Sequence, residues 1–174
     1  MFATRSSGAH TASRRIGTTV LILAIVLAVT GCTRATSAPV LTATQASKQM
    51  QSLVRDTMAA AGGKWTSTSD GPSPDACTTP SGAEGVSFLW DQIADGVDQP
   101  RAVMERVDQL WRDKGLATNT QSVKRADGKI LNRVGSQDDV VDVILFSATT
   151  SRLVIEVQSF CGTGNVDDFT IDGD

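Results

Sequence analysis

Few side chains in this chain can do covalent or acid–base chemistry. Three are cysteines, Cys32, Cys77 and Cys161. A thiolate is a nucleophile and a soft metal ligand, yet no Cys-x-x-Cys pair is present to make a redox or metal motif. The single histidine is His10. Beyond it, Ser-His-Asp triads, Cys-His dyads and histidine-ligated metals have no residue to build on. Carboxylates remain, in clusters: Asp91, Asp95 and Asp98, then Asp138, Asp139 and Asp142. Two carboxylates at a suitable separation hydrolyse glycosides. With no second motif beside them, aspartates grouped near turns serve capping and solvation equally well. Asn165, Asp167, Asp168, Asp172 and Asp174 offer oxygen ligands for calcium, but their spacing lacks the glutamate that closes an EF-hand loop. No catalytic residue, metal ligand or cofactor is therefore assigned.

Cys32 has a more specific setting. Val29-Thr30-Gly31-Cys32 matches the lipobox of bacterial lipoproteins, in which the cysteine thiol receives a diacylglyceryl group and cleavage follows the preceding small residue. The first 31 residues have the parts of a secretory signal. Arg5, Arg14 and Arg15 make its start positive, residues 16–29 are uncharged, and 20–27 are its apolar heart. That stretch is shorter than the roughly 20 apolar residues of a spanning helix. Cleavage is expected after Gly31, with lipidation at Cys32. Two acyl chains, at about 0.8 kcal/mol per buried methylene, hold a protein where one would not. The expected location is the extracytoplasmic face of the cell membrane. Ser13-Arg14-Arg15 has the look of a twin-arginine signal, but Ile16-Gly17-Thr18 fits that motif poorly, so general secretion is the expected route.

An exported chain with one remaining cysteine pair reads as disulfide-bonded, Cys77 to Cys161. The 143 residues from Cys32 onward suffice for one domain. They carry 13 basic and 19 acidic side chains, a net −6, because the leader holds three of the 16 basic residues and no acidic ones. That balance argues against nucleic acid and against electrostatic docking on anionic lipid.

The elements that would position these residues follow from periodicity. Residues 32–43 read as the lipidated cysteine and a flexible tether, interrupted by Pro39. Ala46, Met50, Leu53, Val54, Met58 and Ala61 then recur at helical steps, with Thr44 as N-cap and Gly62-Gly63 as the stop. Residues 64–69 read as a strand, 70–75 as a loop delivering Cys77, and 85–90 as a second strand. A second helix starts with Asp98 or Gln99 before Pro100. It buries Val103, Val107, Leu110 and Trp111, and stops at Gly115 with Leu116 packing back. Strands are expected over 117–125, 130–134, 140–148 and 152–160, the first two joined by Asp127-Gly128. In the last, Leu153, Ile155 and Val157 alternate with Arg152, Val154, Glu156 and Gln158. One face is thus buried and one wet. The fold class is α+β: an antiparallel sheet of about five to six strands, covered on one face by two amphipathic helices and stapled by one disulfide. The domain spans 44–165, and 166–174 form an acidic tail.

The lipobox, Cys77, the run Leu110-Trp111-Arg112-Asp113-Lys114-Gly115-Leu116, the strand meander and the late cysteine in Gln158-Ser159-Phe160-Cys161 together resemble small actinobacterial (mycobacterial Lpp-type) lipoproteins of uncharacterised function. The resemblance implies membrane anchoring and no reaction. Trp111 lies on the apolar helix stripe and reads as core. Trp65 and Trp90 lie outside helices and are the candidate ligand contacts, with core packing as their alternative. The polar strand 117–122 reads as an exposed hairpin or edge, and an edge can add a partner's strand. The leading expectation is a binding or interaction module of the cell envelope, facing an envelope protein or a small ligand. The alternatives are a carboxylate-dependent hydrolase of cell-wall glycans and a lipid carrier with a cavity between sheet and helices.

Overall fold

The computed structural model describes residues 41–137 and 140–169. Residues 1–40, with the expected signal, Cys32 and most of the expected tether, and Asp138, Asp139 and residues 170–174 lie outside the described residues.

Helix α1 runs Ala43–Ala61. Its N-cap is Thr42, two residues before the expected Thr44. Thr42 and Gln45 form a capping box: the Gln45 N–H donates to Thr42 Oγ1 at 3.2 Å, and the Thr42 N–H donates to Gln45 Oε1 at 2.9 Å. Three residues beyond Thr44 stands Ser47, which cannot play the Glu/Gln part of a capping box. At the other end the Gly62 N–H donates to the Met58 carbonyl at 2.9 Å. Helix α2 runs Pro100–Asp113, with Gln99 as N-cap and Pro100 in the first turn. It closes as expected. Gly115 takes φ +89°, its N–H reaches the Arg112 carbonyl and the Leu116 N–H reaches the Trp111 carbonyl, both at 2.9 Å. This is the Schellman pairing; Leu116 is buried behind it.

Nine strand segments make one antiparallel sheet: β1 Trp65–Ser67, β2 Ser73–Thr78, β3 Glu84–Leu89, β4 Gln92–Asp95, β5 Thr118–Lys124, β6 Ile130–Ser136, β7 Val143–Ala148, β8 Arg152–Gln158 and β9 Gly162–Thr163. They lie along six tracks, which reconciles the segment count with the expected five to six strands. β4 and β3 follow one another along β8, with Gln92 opposite Ile155 and Leu89 opposite Gln158. β1 flanks β4 and β2 flanks β3. β8, β7, β6 and β5 then succeed one another by hairpin neighbours.

Several segments differ from expectation. Residues 73–75, read as loop because of Pro72 and Pro74, begin β2, and Cys77 stands within that strand. β2 pairs with β3 alone, so Pro74 sits where a missing N–H is tolerated, on an edge. β4 was not anticipated. It is four residues long and alternates buried Gln92 and Ala94 with exposed Ile93 and Asp95, a pattern too short to stand out. The first strand is confined to 65–67, and β7 starts at Val143, later than 140.

The helices lie over one sheet face. Trp111, Phe146, Met50, Ile144, Leu153 and Ile155 are fully buried between the layers. Leu110 is only half-buried, and Met104 and Asp108 complete the covered face of α2. A buried polar tie crosses the helix pair: Trp111 Nε1–H donates to Thr57 Oγ1 at 2.9 Å, and Thr57 donates to the Leu53 carbonyl at 2.8 Å; at the surface Arg106 Nε donates to the Ala60 carbonyl at 3.3 Å and Lys114 pairs with Asp56 at 2.6 Å. The disulfide Cys77–Cys161 links residues 84 apart in sequence, with Cα atoms 6.0 Å apart. The chain beyond 165, expected to be a loose acidic tail, makes a 3₁₀ turn over Val166–Asp168, and Phe169 packs edge-on against Phe88 at 5.1 Å.

Candidate functional site

The sheet has a second face, and its residues follow from register. Arg133 on β6 stands opposite Gln121 of β5 and Ser147 of β7; Ser147 stands opposite Val154 of β8, and Val154 opposite Ile93 of β4. These positions alternate with the buried Val134, Phe146, Ile155 and Ala94, so they point away from the helices. Leu89, Ile93, Val123 and Val143, each 38–44% exposed, lie on the same side. The face is therefore apolar in patches and only partly wet, beyond the polar surface expected of it.

A cleft of about 400 Å³ opens on it towards the β5–β6 and β7–β8 turns. Arg125, Lys129, Arg133 and Arg152 bring four cations to it, against two carboxylates, Asp127 and Glu156; Leu131 and Val154 supply apolar wall. The turn between β7 and β8 is held by Thr149, whose hydroxyl accepts the N–H groups of Ser151 and Arg152 and donates to the Arg152 carbonyl at 3.0 Å. Lys129 Nζ donates to Ser151 Oγ at 2.6 Å. The Lys129 N–H donates to Asp127 Oδ1 at 3.1 Å. Two groups stand out against this wiring. Ser147 is 6% exposed, and its Oγ has no hydrogen-bond partner; the buried Nε of Arg133, its cross-strand neighbour, has none either. Buried polar atoms are paired in the great majority of cases.

A second groove of about 360 Å³ lies between α2 and β5. Its principal acid is Asp108, nearly buried, which accepts Thr118 Oγ1 at 2.6 Å and the Arg112 guanidinium. Arg101 pairs with Glu105 at 2.9 Å. The polar groups named here are satisfied by one another, and Asp108 ties helix to strand.

The residues singled out by sequence fall as follows. Trp65 and Trp90 pack against the core. Their indole N–H groups donate to the Gly62 carbonyl at 2.9 Å and to Ser67 Oγ at 2.8 Å. Asp91, Asp95 and Asp98 are exposed. Asp91 and Asp95 are four residues apart on extended backbone, roughly 13 Å between Cα atoms, wider than the ~5–9.5 Å between the carboxyls of a glycosidase pair. Asp142 is half-buried and apart from them. β5 pairs with β6 alone and is an exposed edge. Side chains fill the layer where a carrier would need its cavity. Among the described residues no group of His, Cys, Asp and Glu could hold a metal ion, and no helix is long and apolar enough to cross a membrane. The cleft residues were missed by sequence reasoning. The available signal was Ser147, a polar residue inside the apolar strand β7; Arg133 lies in the mixed strand β6 and does not stand out there.

No known protein family matches the chain, and no curated protein matches it. Among solved structures it is similar to a DUF4853 family protein from Actinomyces odontolyticus, with 17% sequence identity and a TM-score of 0.46, over 72% of this chain and 71% of that one. At that level of likeness nothing is transferred.

Proposed function

We propose that this chain is a lipid-anchored protein of the extracytoplasmic membrane face, akin to the small actinobacterial lipoproteins, and that it acts by binding a ligand on the open face of its sheet. The observation that carries the binding reading is the cleft with its unpartnered Ser147 hydroxyl and Arg133 Nε. A buried donor without an acceptor is unfavourable, and a ligand seated there would relieve it. The uncovered apolar positions around the cleft suit a face that is covered part of the time. The anchoring reading rests on the lipobox at residues 29–32. The Cys77–Cys161 disulfide agrees with it, since such bonds persist mainly outside the reducing cytosol.

Two measurements test this. The intact mass of the protein from membranes should lack residues 1–31 and include a diacylglyceryl group, and Cys32→Ser should move the protein to the soluble fraction. An unlipidated wild-type protein would end the anchoring reading. Native mass spectra should show a small adduct that Ser147→Trp, which fills the cleft floor, abolishes. An adduct indifferent to that change would place binding elsewhere.

A further inference from the structure

We infer that the ligand of the open face carries a phosphate monoester, held by Arg133 and Ser147. This rests on the reading of that face as the binding surface and specifies its chemistry. Arg133 can only donate hydrogen bonds, and Ser147 has a hydroxyl proton free to donate. Two adjacent unpartnered donors call for a group rich in acceptors. The cross-strand neighbours of Arg133 are Gln121 and Ser147, both neutral, so no carboxylate stands opposite its charge. By contrast Arg152 has a carboxylate residue, Asp95, as its cross-strand neighbour, and Lys129 donates to Ser151.

Charge narrows the class further. The chain as a whole is at −3, yet the cleft gathers four cations and two carboxylates, a local +2. That excess matches the roughly −1.5 to −2 of a phosphate monoester near pH 7. Three terminal oxygens can accept from the guanidinium and the hydroxyl and leave one for a further donor, more than a carboxylate's two oxygens. Glu156 lies one row away, opposite Leu145, and so does not confront Arg133. Leu131 and Val154 flank the cations and offer a wall for the carbon portion of the ligand.

The monoester could belong to a free metabolite or to a lipid headgroup, and the test separates them. Full-length protein is titrated calorimetrically at low salt with glycerol 3-phosphate, and by sedimentation with phosphatidylcholine vesicles containing phosphatidic acid. Saturable binding to glycerol 3-phosphate supports a free ligand; without it, sedimentation that phosphatidic acid raises above the level on plain phosphatidylcholine vesicles, where an acyl anchor alone inserts, supports a headgroup. In either case Arg133→Gln should weaken binding at least about tenfold and Ser147→Ala about threefold or more, as fits loss of charge-assisted hydrogen bonds. Arg55→Gln, on the exposed side of α1, should leave it unchanged. Ser147→Ala removes a hydroxyl that has no partner, so the variant should fold as the parent does. Binding indifferent to both cleft variants, or no saturable binding to either probe, overturns the inference. If the protein then still carries a phosphorus-free adduct that Ser147→Trp displaces, the binding face survives and only its ligand class is wrong. Without any such adduct both readings fall.

Discussion

Opening the Cys77–Cys161 bond should remove a large share of the stability of this domain. The bond joins the outer strand β2 to the residue just before β9, and the two cysteines are 84 residues apart. In the chain-entropy account a closed loop of about 85 residues restricts the unfolded chain by about 4–5 kcal/mol at 25 °C. Small domains have roughly 5–15 kcal/mol in total. With a urea m value of about 1.5–2 kcal/mol per molar, the unfolding midpoint should fall by about 2–3 M. The assay is urea denaturation followed by tryptophan fluorescence, in which buried Trp111 reports the helix–sheet layer. Oxidised protein, reduced protein and Cys77→Ala/Cys161→Ala are compared. The m value should rise slightly on reduction, because the freed unfolded chain exposes more surface. A midpoint shift below about 0.5 M at unchanged m, in a sample whose mass shows the two added hydrogens, would refute the reasoning. It would mean that the link does little to constrain the unfolded chain.

Two further changes probe the packing. Thr57→Val keeps the shape of the side chain and takes the acceptor from Trp111 Nε1, so thermal or urea unfolding should show a loss of about 1–3 kcal/mol, while Thr57→Ser stays close to the parent. Gly85→Ala would place a methyl 2.6 Å from the Gly162 carbonyl oxygen and 2.7 Å from Cys161 Sγ; about 1–3 kcal/mol of destabilisation is expected, with slower disulfide formation in thiol-quenched refolding. A variant as stable as the parent would show that β3 does not approach β9 so closely.

Much of the fold was legible because it depends on local periodicity. Met50, Leu53 and Val54 recur at helical steps and are buried; Leu153, Ile155 and Val157 alternate and are buried. Gly115 and Leu116 announce the end of α2 by backbone chemistry alone. What misled was short or edge structure. Pro72 and Pro74 argue for a loop wherever the N–H groups would be needed, and only pairing on one side makes β2 acceptable. β4 has too few residues for a pattern. Asp108 reads as part of a helix's wet face, since nothing local tells that Thr118 will reach it.

The sequence by itself determined the class and the boundaries of the long elements: two amphipathic helices, an antiparallel meander, one stapled cysteine pair, and a chain with no histidine after His10. Each of these follows from spacing within a few residues or from what is missing altogether. Only the tertiary structure decided the candidate site. Arg133 and Ser147 come from different strands, and Lys129, Arg152 and Val154 join them in one cleft through the hairpin register of a shared sheet. The absence of a hydrogen-bond partner is likewise a property of three-dimensional surroundings. A serine in an apolar strand looks the same in sequence whether or not its hydroxyl meets a partner.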